Sequence, residues 1–339
     1  MALFVGLNFV IWKTVTEDLI TDRHYNGGDL SRMGYAPGSK MYRHNSTDLP
    51  RRHVELKDYD GRPIDMLTIG DSFSNGGGSG YNSFYQDYIA SYFSFDVLNI
   101  NSPKDIDFIS TIAILLNNGF LKQTHTRYVL LGATEIGWQE WSHNINFEQS
   151  IQMTDLVKYP VRNAFGKLPQ VSFMNNGNMK FLLFNLLYRF SDHAVFSQVY
   201  KTNLTKHFFS VPEGNTLLYL PYRHIPTAMD VERLNKNLNE LSDRLGTQGI
   251  RLIFMPFTDK YTLYARWLEK KRFPESSFFE YLRPLPKRYQ FIDTKALLQE
   301  PLDQDELDVY FADDTHSSWK ASKIMFEKIK FSKMTNNKL

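Results

Sequence analysis

Five short apolar runs, separated by stretches of helical periodicity, are the feature that most restricts the folds open to this chain of 339 residues. Apolar runs of this length are typical of strands buried on both faces, as in parallel sheets. The runs cover 65–70, 95–100, 127–132, 250–255 and 288–293. The helical patterns cover 82–93, 106–118, 228–246, 259–271 and 316–331. The alternation predicts an α/β fold, a three-layer sandwich in which helices cover both faces of a parallel five-stranded sheet.

This alternation is interrupted at about 140–225 by a segment rich in Asn, Phe and Tyr. Helical patterns at 178–190 and near 193–204, and an apolar run at 217–220, predict that the segment has structure of its own. We interpret it as a cap on the substrate side, inserted between the third and fourth strands of an α/β domain that spans 65–332.

The segments outside this domain differ in character. Residues 14–64 are polar and irregular, which predicts an extended arm, and residues 333–339 predict a frayed tail. Residues 1–13 are almost wholly apolar, but a membrane span needs about 20 residues. They also lack the basic start and cleavage site of a signal peptide. This segment is either the end of a truncated membrane anchor, which we favour, or an amphipathic helix packed on the domain.

The composition argues against several classes of function. The 39 basic and 37 acidic residues nearly balance, so no excess positive charge indicates a nucleic-acid partner. The lack of cysteine excludes disulfides, thiol catalysis and thiolate metal sites. The histidines show none of the paired spacings typical of metal ligands, so we expect no catalytic metal and no cofactor. The 15% aromatic content fits a large core or a groove that stacks sugar rings.

The first predicted strand runs into the turn Gly70-Asp71-Ser72. Reactive groups in open parallel sheets lie beyond the carboxyl ends of the strands, and Ser72 is placed there. A serine at the start of a helix can act as a nucleophile if a base takes its proton, and nearby backbone N–H groups can stabilise an oxyanion. The pattern is not the G-x-S-x-G elbow, since Ser74 stands at its last position. On local grounds alone, Asp71 or Ser72 could simply cap a helix.

A second group of reactive side chains precedes the last predicted helix. His316 follows Asp313, Asp314 and Thr315. A neighbouring carboxylate can fix the tautomer of a histidine and stabilise its charged form, which is the arrangement of a general base. A helix cap by one of these residues, with His316 incidental, explains the same pattern. The two groups together favour a nucleophile, Ser72, and a base, His316, that the fold brings into contact.

These two stretches resemble the SGNH (GDSL-type) hydrolase superfamily, which has a flavodoxin-like sheet. Asp314-Thr315-His316, with Trp319 close behind, resembles the signature of its alginate O-acetyltransferase-like group. The segment from Pro256 through Lys260 to Tyr264 resembles that group's Pro…Lys…Tyr segment. The run Val129 to Glu135 lies where such proteins carry a strand that ends in a glutamate. The resemblance covers most of residues 60–332.

The resemblance implies a triad of Ser72 as nucleophile, His316 as base and an aspartate as the residue that orients the base. The superfamily pattern points to Asp313 for that role, and the acetyltransferase-like pattern points to Asp314, which we favour. The oxyanion and pocket residues implied by the resemblance are Gly70, Asp71, Asn99, Asn101, Glu135, Lys260 and Tyr264. The chain departs from the group in carrying Ser317 where the signature has Trp, and in lacking clear second-block and third-block motifs.

The function that we expect is therefore a serine-dependent O-acyl, commonly acetyl, transferase or esterase that acts on a cell-envelope or exported polysaccharide. Family analogy adds an extracytoplasmic location, an N-terminal membrane tether and a membrane-bound partner that donates the acyl group. Transfer and hydrolysis differ in whether water is excluded from the pocket, which the sequence does not report. The alternative is a glycan-binding or assembly protein that keeps the fold without efficient catalysis.

Overall fold

The computed structural model describes residues 1–16, 28–36, 43, 45, 47–78, 80–137, 143–160, 176–212, 214–222 and 224–331. The strands are β1 (Val54–Glu55), β2 (Met66–Gly70), β3 (Val97–Asn101), β4 (Tyr128–Gly132), β5 (Tyr200–Asn203), β6 (Thr216–Tyr219), β7 (Arg251–Phe254) and β8 (Gln290–Phe291). The helices are α1 (Ala2–Ile11), α2 (Asp29–Gly34), α3 (Tyr85–Phe93), α4 (Phe108–Asn117), α5 (Phe120–Gln123), α6 (Met153–Leu156), α7 (Asn176–Phe190), α8 (Ala228–Gly246), α9 (Lys260–Leu263), α10 (Phe278–Leu282), α11 (Thr294–Asp303) and α12 (Trp319–Lys328).

The central sheet has the strand order β1-β3-β2-β4-β7-β8, and every neighbouring pair within it is parallel. The predicted α/β class is therefore confirmed, since all five predicted strands lie in this sheet. The predicted number of strands is wrong, because β1 adds a sixth in the described part of the chain. This two-residue strand lies within residues 14–64, which we predicted to be an extended arm. It pairs with β3 at the edge of the sheet. A strand of two residues cannot contain a long apolar run, so the sequence pattern did not reveal it.

Side chains that alternate along the strands enter two separate apolar cores. On one face, Met66 packs in a cluster with residues of α3, α11 and α12. On the other face, Leu67 and Ile69 pack in a cluster with residues of α4, α8 and α10. Because successive side chains of a strand point to opposite faces, the sheet is covered by helices on both sides. This arrangement is compatible with the predicted three-layer sandwich.

The segment at about 140–225 lies between β4 and β7 in the chain and contributes no strand to the central sheet in its described residues. It contains α6, α7 and a small antiparallel pair, β5 with β6. The predicted strand at 217–220 corresponds to β6, and the predicted helix at 178–190 corresponds to α7. The helix predicted near 193–204 is wrong, because Tyr200–Asn203 is strand β5, whose backbone pairs with β6.

Two further helices are shorter than their sequence patterns. The helix predicted at 259–271 is reduced to α9, which is followed by a 3₁₀ turn at Ala265–Trp267. The helix predicted at 316–331 begins only at Trp319, because the Ser318 side chain caps it by accepting a hydrogen bond from the Lys320 N–H. His316 therefore lies in the loop before the helix, where its side chain is directed by the loop and not by a helical face.

The apolar N-terminal residues form α1, which is continued by a π-helical turn at Trp12–Thr16. Most of its large side chains are exposed. Within the described residues, no helix combines the length and the apolar character that crossing a bilayer requires. The predicted frayed tail at 333–339 lies outside the described residues.

A buried ionic cluster ties β1 to α3 on the edge of the sheet nearest the Ser72 turn. The His53 ring lies 2.7 Å from Asp87 through Nδ1 and 3.1 Å from Glu55 through Nε2. Burial alone would lower the pKa of His53, but the hydrogen bonds with both carboxylates outweigh burial and raise it to about 9. Glu55 in turn accepts a hydrogen bond from Asn99 on β3. The cluster therefore holds the edge strand and Asn99 together.

Because the folded protein raises the pKa of His53 from 6.5 to about 9, its contribution to stability is complete below pH 6.5 and is lost as the pH rises through 9. We expect His53→Gln to lower the free energy of unfolding by about 1.5–3 kcal/mol below pH 6.5. The difference from the parent should shrink towards pH 10, as measured by urea unfolding at several pH values. Arg62→Ala, which breaks the exposed ion pair with Asp60, is the control and should leave the pH profile unchanged. An effect of His53→Gln that is equal at all pH values would contradict the charged state of this histidine.

Candidate active site

The turn after β2 is braced by Asp71 against the neighbouring strand. Asp71 Oδ1 accepts a hydrogen bond from the Phe73 N–H at 3.0 Å, and Oδ2 accepts one from the Thr134 N–H, just past β4, at 2.7 Å. Burial raises the pKa of Asp71 despite these bonds. Gly70 allows the close approach of the two strands, since a Cβ there would lie 1.7 Å from the Gly132 carbonyl oxygen. Gly70 and Asp71 thus shape the turn that presents Ser72.

Ser72 and His316 are in hydrogen-bond contact although 244 positions separate them in the chain. Ser72 Oγ lies 2.7 Å from His316 Nε2, and the Ser72 residue as a whole is half-buried. The ring of Phe73 packs against the imidazole with the ring centroids 4.8 Å apart. The structure therefore brings together the two residues that the sequence paired.

The aspartate in contact with His316 is Asp314. Its Oδ1 lies 2.6 Å from His316 Nδ1 and also accepts a hydrogen bond from the His316 N–H at 3.0 Å. Burial would raise the pKa of Asp314, but the hydrogen bond to His316 and the charge of Arg43 hold it well below its usual range. Burial would lower the pKa of His316, and Asp314 raises it above its ordinary value. Asp314 therefore orients the ring and stabilises its protonated form.

Asp313, the other aspartate that the sequence left open, is hydrogen-bonded to Gly28, Ser31 and Arg43. Its carboxylate accepts hydrogen bonds from the Gly28 N–H at 3.0 Å, from the Ser31 hydroxyl at 3.3 Å and from Arg43 at 3.1 Å. Both Asp313 and the Arg43 side chain are almost fully buried. Asp313 thus fastens the loop before α12 to α2 and to Arg43.

Asp29, at the start of α2, is a second carboxylate beside the histidine. Its Oδ1 accepts a hydrogen bond from the Thr315 N–H at 2.7 Å, and its Oδ2 accepts one from the Thr315 hydroxyl. The Asp29 N–H donates to Asp314 Oδ2 at 3.1 Å, and Asp29 Oδ2 lies 3.7 Å from His316 Nδ1. Burial and the charge of Asp314 raise the pKa of Asp29 to about 6. The segment that we predicted to be only an arm therefore completes the surroundings of His316.

The glycine-rich loop that follows Ser72 covers the side chain of His316. Gly76, Gly77 and Gly78 are buried, whereas Ser79 lies outside the described residues. The Gly77 N–H donates to the Ser72 carbonyl oxygen at 2.8 Å. A Cβ at Gly77 would lie 2.3 Å from His316 Nε2, the atom that contacts Ser72 Oγ. This position therefore needs glycine because the imidazole occupies the space of a side chain.

We expect Gly77→Ala to displace the His316 ring and to lengthen the contact between Ser72 Oγ and His316 Nε2. A displacement of about 1 Å can lower a catalytic rate about 100-fold, so kcat for a soluble acetyl ester should fall by that order. Thermal unfolding should show a folded protein. Gly246→Ala, at a position with open space around the added methyl group, is the matched control. Equal activity of the parent and Gly77→Ala would show that the ring position does not limit the reaction.

Lys260 is hydrogen-bonded to the backbone of the loop before α12. Its Nζ donates to the carbonyl oxygens of Ala312 and Asp314, both at 2.8 Å. Burial lowers the pKa of Lys260 to about 8, although the nearby aspartates oppose this shift. The sequence suggested Lys260 as a pocket residue, whereas in the structure its buried ammonium holds the backbone of Ala312 and Asp314.

Glu135 and Tyr264 are both fully buried and contact neither Ser72 nor His316 in the described residues. Glu135 Oε1 accepts hydrogen bonds from the Asp259 N–H at 2.7 Å and the Thr258 hydroxyl at 3.2 Å. Burial raises the pKa of Glu135 to about 7. The ring of Tyr264 packs in an aromatic cluster with Phe208, Phe209, Trp267 and Tyr310. In the described residues, the contacts of Glu135 and Tyr264 therefore connect segments of the core.

Asn99 and Asn101, the candidate oxyanion donors, are committed to other partners. Asn99 Nδ2 donates to Glu55 at 3.1 Å and to Asn75 Oδ1 at 3.2 Å. Its Oδ1 accepts hydrogen bonds from the Thr68 hydroxyl and from Gln86. Asn101 Nδ2 lies 3.5 Å from Glu55. Neither amide contacts Ser72 directly, but Asn99 orients the side chain of Asn75 in the Ser72 turn.

One group of potential metal ligands occurs among the described residues, and it is part of this site. Asp29, Asp314 and His316 each offer one ligand atom, and these atoms lie within 4.8 Å of one another. His316 Nδ1 and Asp314 Oδ1 are only 2.6 Å apart, which is the distance of a charge-assisted hydrogen bond. We therefore interpret the group as a hydrogen-bonded network around the imidazole.

Asp29, Arg43, Gly77 and Asn75 are site residues that sequence reasoning missed. Asp29 belongs to residues 14–64, which we predicted to be an extended arm, and its partners lie about 285 positions away in the chain. No local pattern reports such a contact. Asn75 and Gly77 lie within five residues of Ser72, and this proximity was the one signal that could have marked them.

In comparisons with known proteins, the sequence matches no family model and no curated protein.

Proposed function

We propose that this protein is a serine-dependent O-acyl transferase or esterase that forms an acyl ester on Ser72. The observation that carries the proposal is the continuous hydrogen-bonded line from Ser72 Oγ through His316 to Asp314, with contacts of 2.7 and 2.6 Å. A half-buried serine, a buried histidine and a buried carboxylate in this order have the geometry of an activated nucleophile. The position of Ser72 after a central strand and of His316 before the last helix also supports an SGNH-type fold.

In the proposed reaction, Ser72 Oγ attacks the carbonyl carbon of an acyl donor while His316 Nε2 takes the hydroxyl proton. Asp314 stabilises the imidazolium through Nδ1–H. The tetrahedral intermediate then expels the leaving group, which receives the proton from Nε2, and the acyl group remains on Ser72. In the second half, His316 takes a proton from a sugar hydroxyl or a water, whose oxygen attacks the acyl ester and releases Ser72.

We further propose that the developing oxyanion is bound by the Ser72 N–H and the Asn75 side-chain amide. Among the described residues, neither the Ser72 N–H nor Asn75 Nδ2 donates a hydrogen bond to a protein acceptor. Asn99 donates to Asn75 Oδ1, which fixes that amide with Nδ2 at its free end. Two uncommitted donors in the nucleophile's own turn supply what an acyl-transfer intermediate requires.

The polysaccharide substrate, the membrane-bound acyl donor and the extracytoplasmic location rest on the resemblance to alginate O-acetyltransferase-like proteins. They are proposed with it. Transfer requires that a sugar hydroxyl outcompete water at the acyl-Ser72 ester, so the two activities are separable by experiment.

The function is tested by trapping the acyl-enzyme. The protein is incubated with a chromogenic acetyl ester and quenched in acid, and its intact mass is measured. We expect one added acetyl group per chain, which peptide mapping assigns to Ser72. Addition of a soluble polysaccharide should speed the loss of the acetyl group and acetylate the polysaccharide if the protein is a transferase.

The matched control is Ser317→Ala, which removes a half-buried hydroxyl beside His316 that makes no side-chain hydrogen bond among the described residues. It should acetylate as the parent does. A folded parent that neither acquires an acetyl group on Ser72 nor hydrolyses an activated ester would reject the acyl-enzyme. That result would favour the glycan-binding alternative, which binding of polysaccharides to the parent would then test.

A further inference from the structure

Helices α1 and α7 pack against each other and expose large apolar side chains to the outside. On α7, Leu183, Leu186 and Phe190 are 54%, 51% and 85% exposed. On α1, Leu3 is 86% exposed, and Leu7 is also exposed. Isolated exposed apolar residues are ordinary on a protein surface, whereas a contiguous group on adjacent elements marks an interaction surface. We call the exposed sides of α1 and α7 the apolar helix pair.

In the apolar helix pair, the distribution of polar and apolar side chains is the reverse of that in a helix exposed to water. Asn8 is the single polar residue of α1, and it is buried against α7. Its Oδ1 accepts a hydrogen bond from Asn178 Nδ2 at 2.6 Å. A surface helix of a soluble protein buries apolar residues and exposes polar ones. Helices surrounded by lipid instead expose apolar side chains and pair polar side chains with each other.

The charged residues in and next to these helices indicate what kind of apolar partner the exposed face would bind. Ala2–Ile11, Trp12–Thr16 and Asn176–Phe190 contain no Asp or Glu, and their charged residues are Lys13, Lys180 and Arg189. The Lys13 ammonium lies 4.6 Å from the centre of the Trp12 ring. Basic and tryptophan side chains at the border of an apolar surface are typical of the membrane interface. The basic side chains of these helices are complementary to anionic lipid headgroups.

We propose that the apolar helix pair docks on an anionic phospholipid bilayer, with α7 as a second contact beside the N-terminal helix. In this arrangement the exposed leucine and phenylalanine side chains enter the apolar layer of the bilayer, and the long basic side chains are directed to the headgroups.

The apolar helix pair is joined to the candidate active site through α2. Asn185 of α7 donates to the Tyr35 carbonyl oxygen at 3.1 Å, and the Tyr35 ring packs on Phe181 with centroids 4.9 Å apart. Asp29, at the other end of α2, contacts Asp314 and Thr315. Docking on a bilayer therefore holds the element that also supports the catalytic loop.

The test is co-sedimentation of the full chain with vesicles of phosphatidylcholine alone or mixed with phosphatidylglycerol. We expect binding that increases with phosphatidylglycerol and weakens with salt. The double variant Leu183→Glu/Leu186→Glu, at two exposed positions of α7, should weaken binding to the mixed vesicles by about tenfold or more. Met229→Glu, which places a single glutamate on an exposed apolar residue of α8, should bind as the parent does.

Hydrolysis of a soluble acetyl ester is measured on all variants as an independent readout, so that a failure of docking is distinguished from a failure of the proposed function. Equal vesicle binding by the parent and the double variant would overturn the role of α7. Absence of binding by the folded parent would overturn the proposal as a whole. A concentration-dependent dimer that the double variant loses, without vesicle binding, would assign the face to a second copy and would also overturn it.

Discussion

Ser72→Ala is expected to lower kcat for a chromogenic acetyl ester by at least about 1,000-fold, because it removes the hydroxyl that contacts His316 Nε2 and that would form the acyl-enzyme. Ser72 is half-buried, and among the described residues its Oγ is hydrogen-bonded to His316 alone, so the free energy of unfolding should change by about 1 kcal/mol or less. The measurement is initial-rate kinetics on the parent and the variant, with urea unfolding of each.

Ser317→Ala again serves as the control, since it removes a hydroxyl of the same loop that takes no part in the proposed reaction. It should keep the kcat of the parent. If Ser72→Ala hydrolyses the ester as fast as the parent while both remain folded, the observed hydrolysis does not pass through Ser72.

The second large effect is expected for Asp314→Asn, and it distinguishes the role of Asp314 from that of Asp313. Asp314→Asn should lower kcat by about 1,000-fold to 10,000-fold, because an amide cannot stabilise the imidazolium and favours the wrong tautomer of His316. Asp314 raises the pKa of His316, and the reaction needs the neutral ring. The midpoint of the rising limb of the pH–rate profile should therefore shift to lower pH in this variant.

Asp313→Asn should act mainly on stability. It leaves the buried Arg43 without its full partner, and breaking a buried ion pair lowers the free energy of unfolding by about 3–5 kcal/mol. Once folded, this variant should retain a pH–rate midpoint close to that of the parent. Steady-state kinetics over pH 5–9 and urea unfolding distinguish the two results. The reverse outcome, a shifted pH profile in Asp313→Asn alone, would mean that the loop reorganises during the reaction.

The central strands were predictable because they are buried on both faces. A strand with both faces buried needs apolar residues at nearly every position, which gives an uninterrupted apolar run in the sequence. Strand β1 carries no such run, since it consists of Val54 and Glu55 at the edge of the sheet. Strand β5 was mistaken for a helix because Tyr200–Asn203 is only partly buried. Its conformation is determined by antiparallel pairing with β6 and not by its own apolar pattern.

The pairing of Ser72 with His316 was predictable because both stretches have recognisable local chemistry at fixed places in the order of strands and helices. The choice between Asp313 and Asp314 was not. The two adjacent carboxylates of this loop have different partners. Arg43 and the Gly28 N–H bind Asp313, and Asp314 contacts the imidazole. Arg43 and Gly28 lie at least 270 positions away from Asp313.

The polar residues at the strand ends show a further limit of sequence reasoning. An asparagine after a buried strand fits both an oxyanion donor and a buried bridge between strands. Asn99 is the bridge, with four hydrogen-bond partners. The sequence of the turn gave no reason to select Asn75. In the structure Asn99 donates to Asn75 Oδ1, and among the described residues Asn75 Nδ2 donates to no protein acceptor. Burial and partner geometry, and not residue type, separate the two roles.

The most direct test of the central claim, that Ser72 is an activated nucleophile, is labelling with a serine-directed fluorophosphonate, which does not depend on knowing the natural substrate. We predict one label per chain, mapped to Ser72, at a rate that rises as His316 loses its proton. Labelling should be absent in Ser72→Ala, strongly slowed in Asp314→Asn and unchanged in Ser317→Ala. A folded parent that takes no label, or a Ser72→Ala variant that labels as fast as the parent, would contradict the claim.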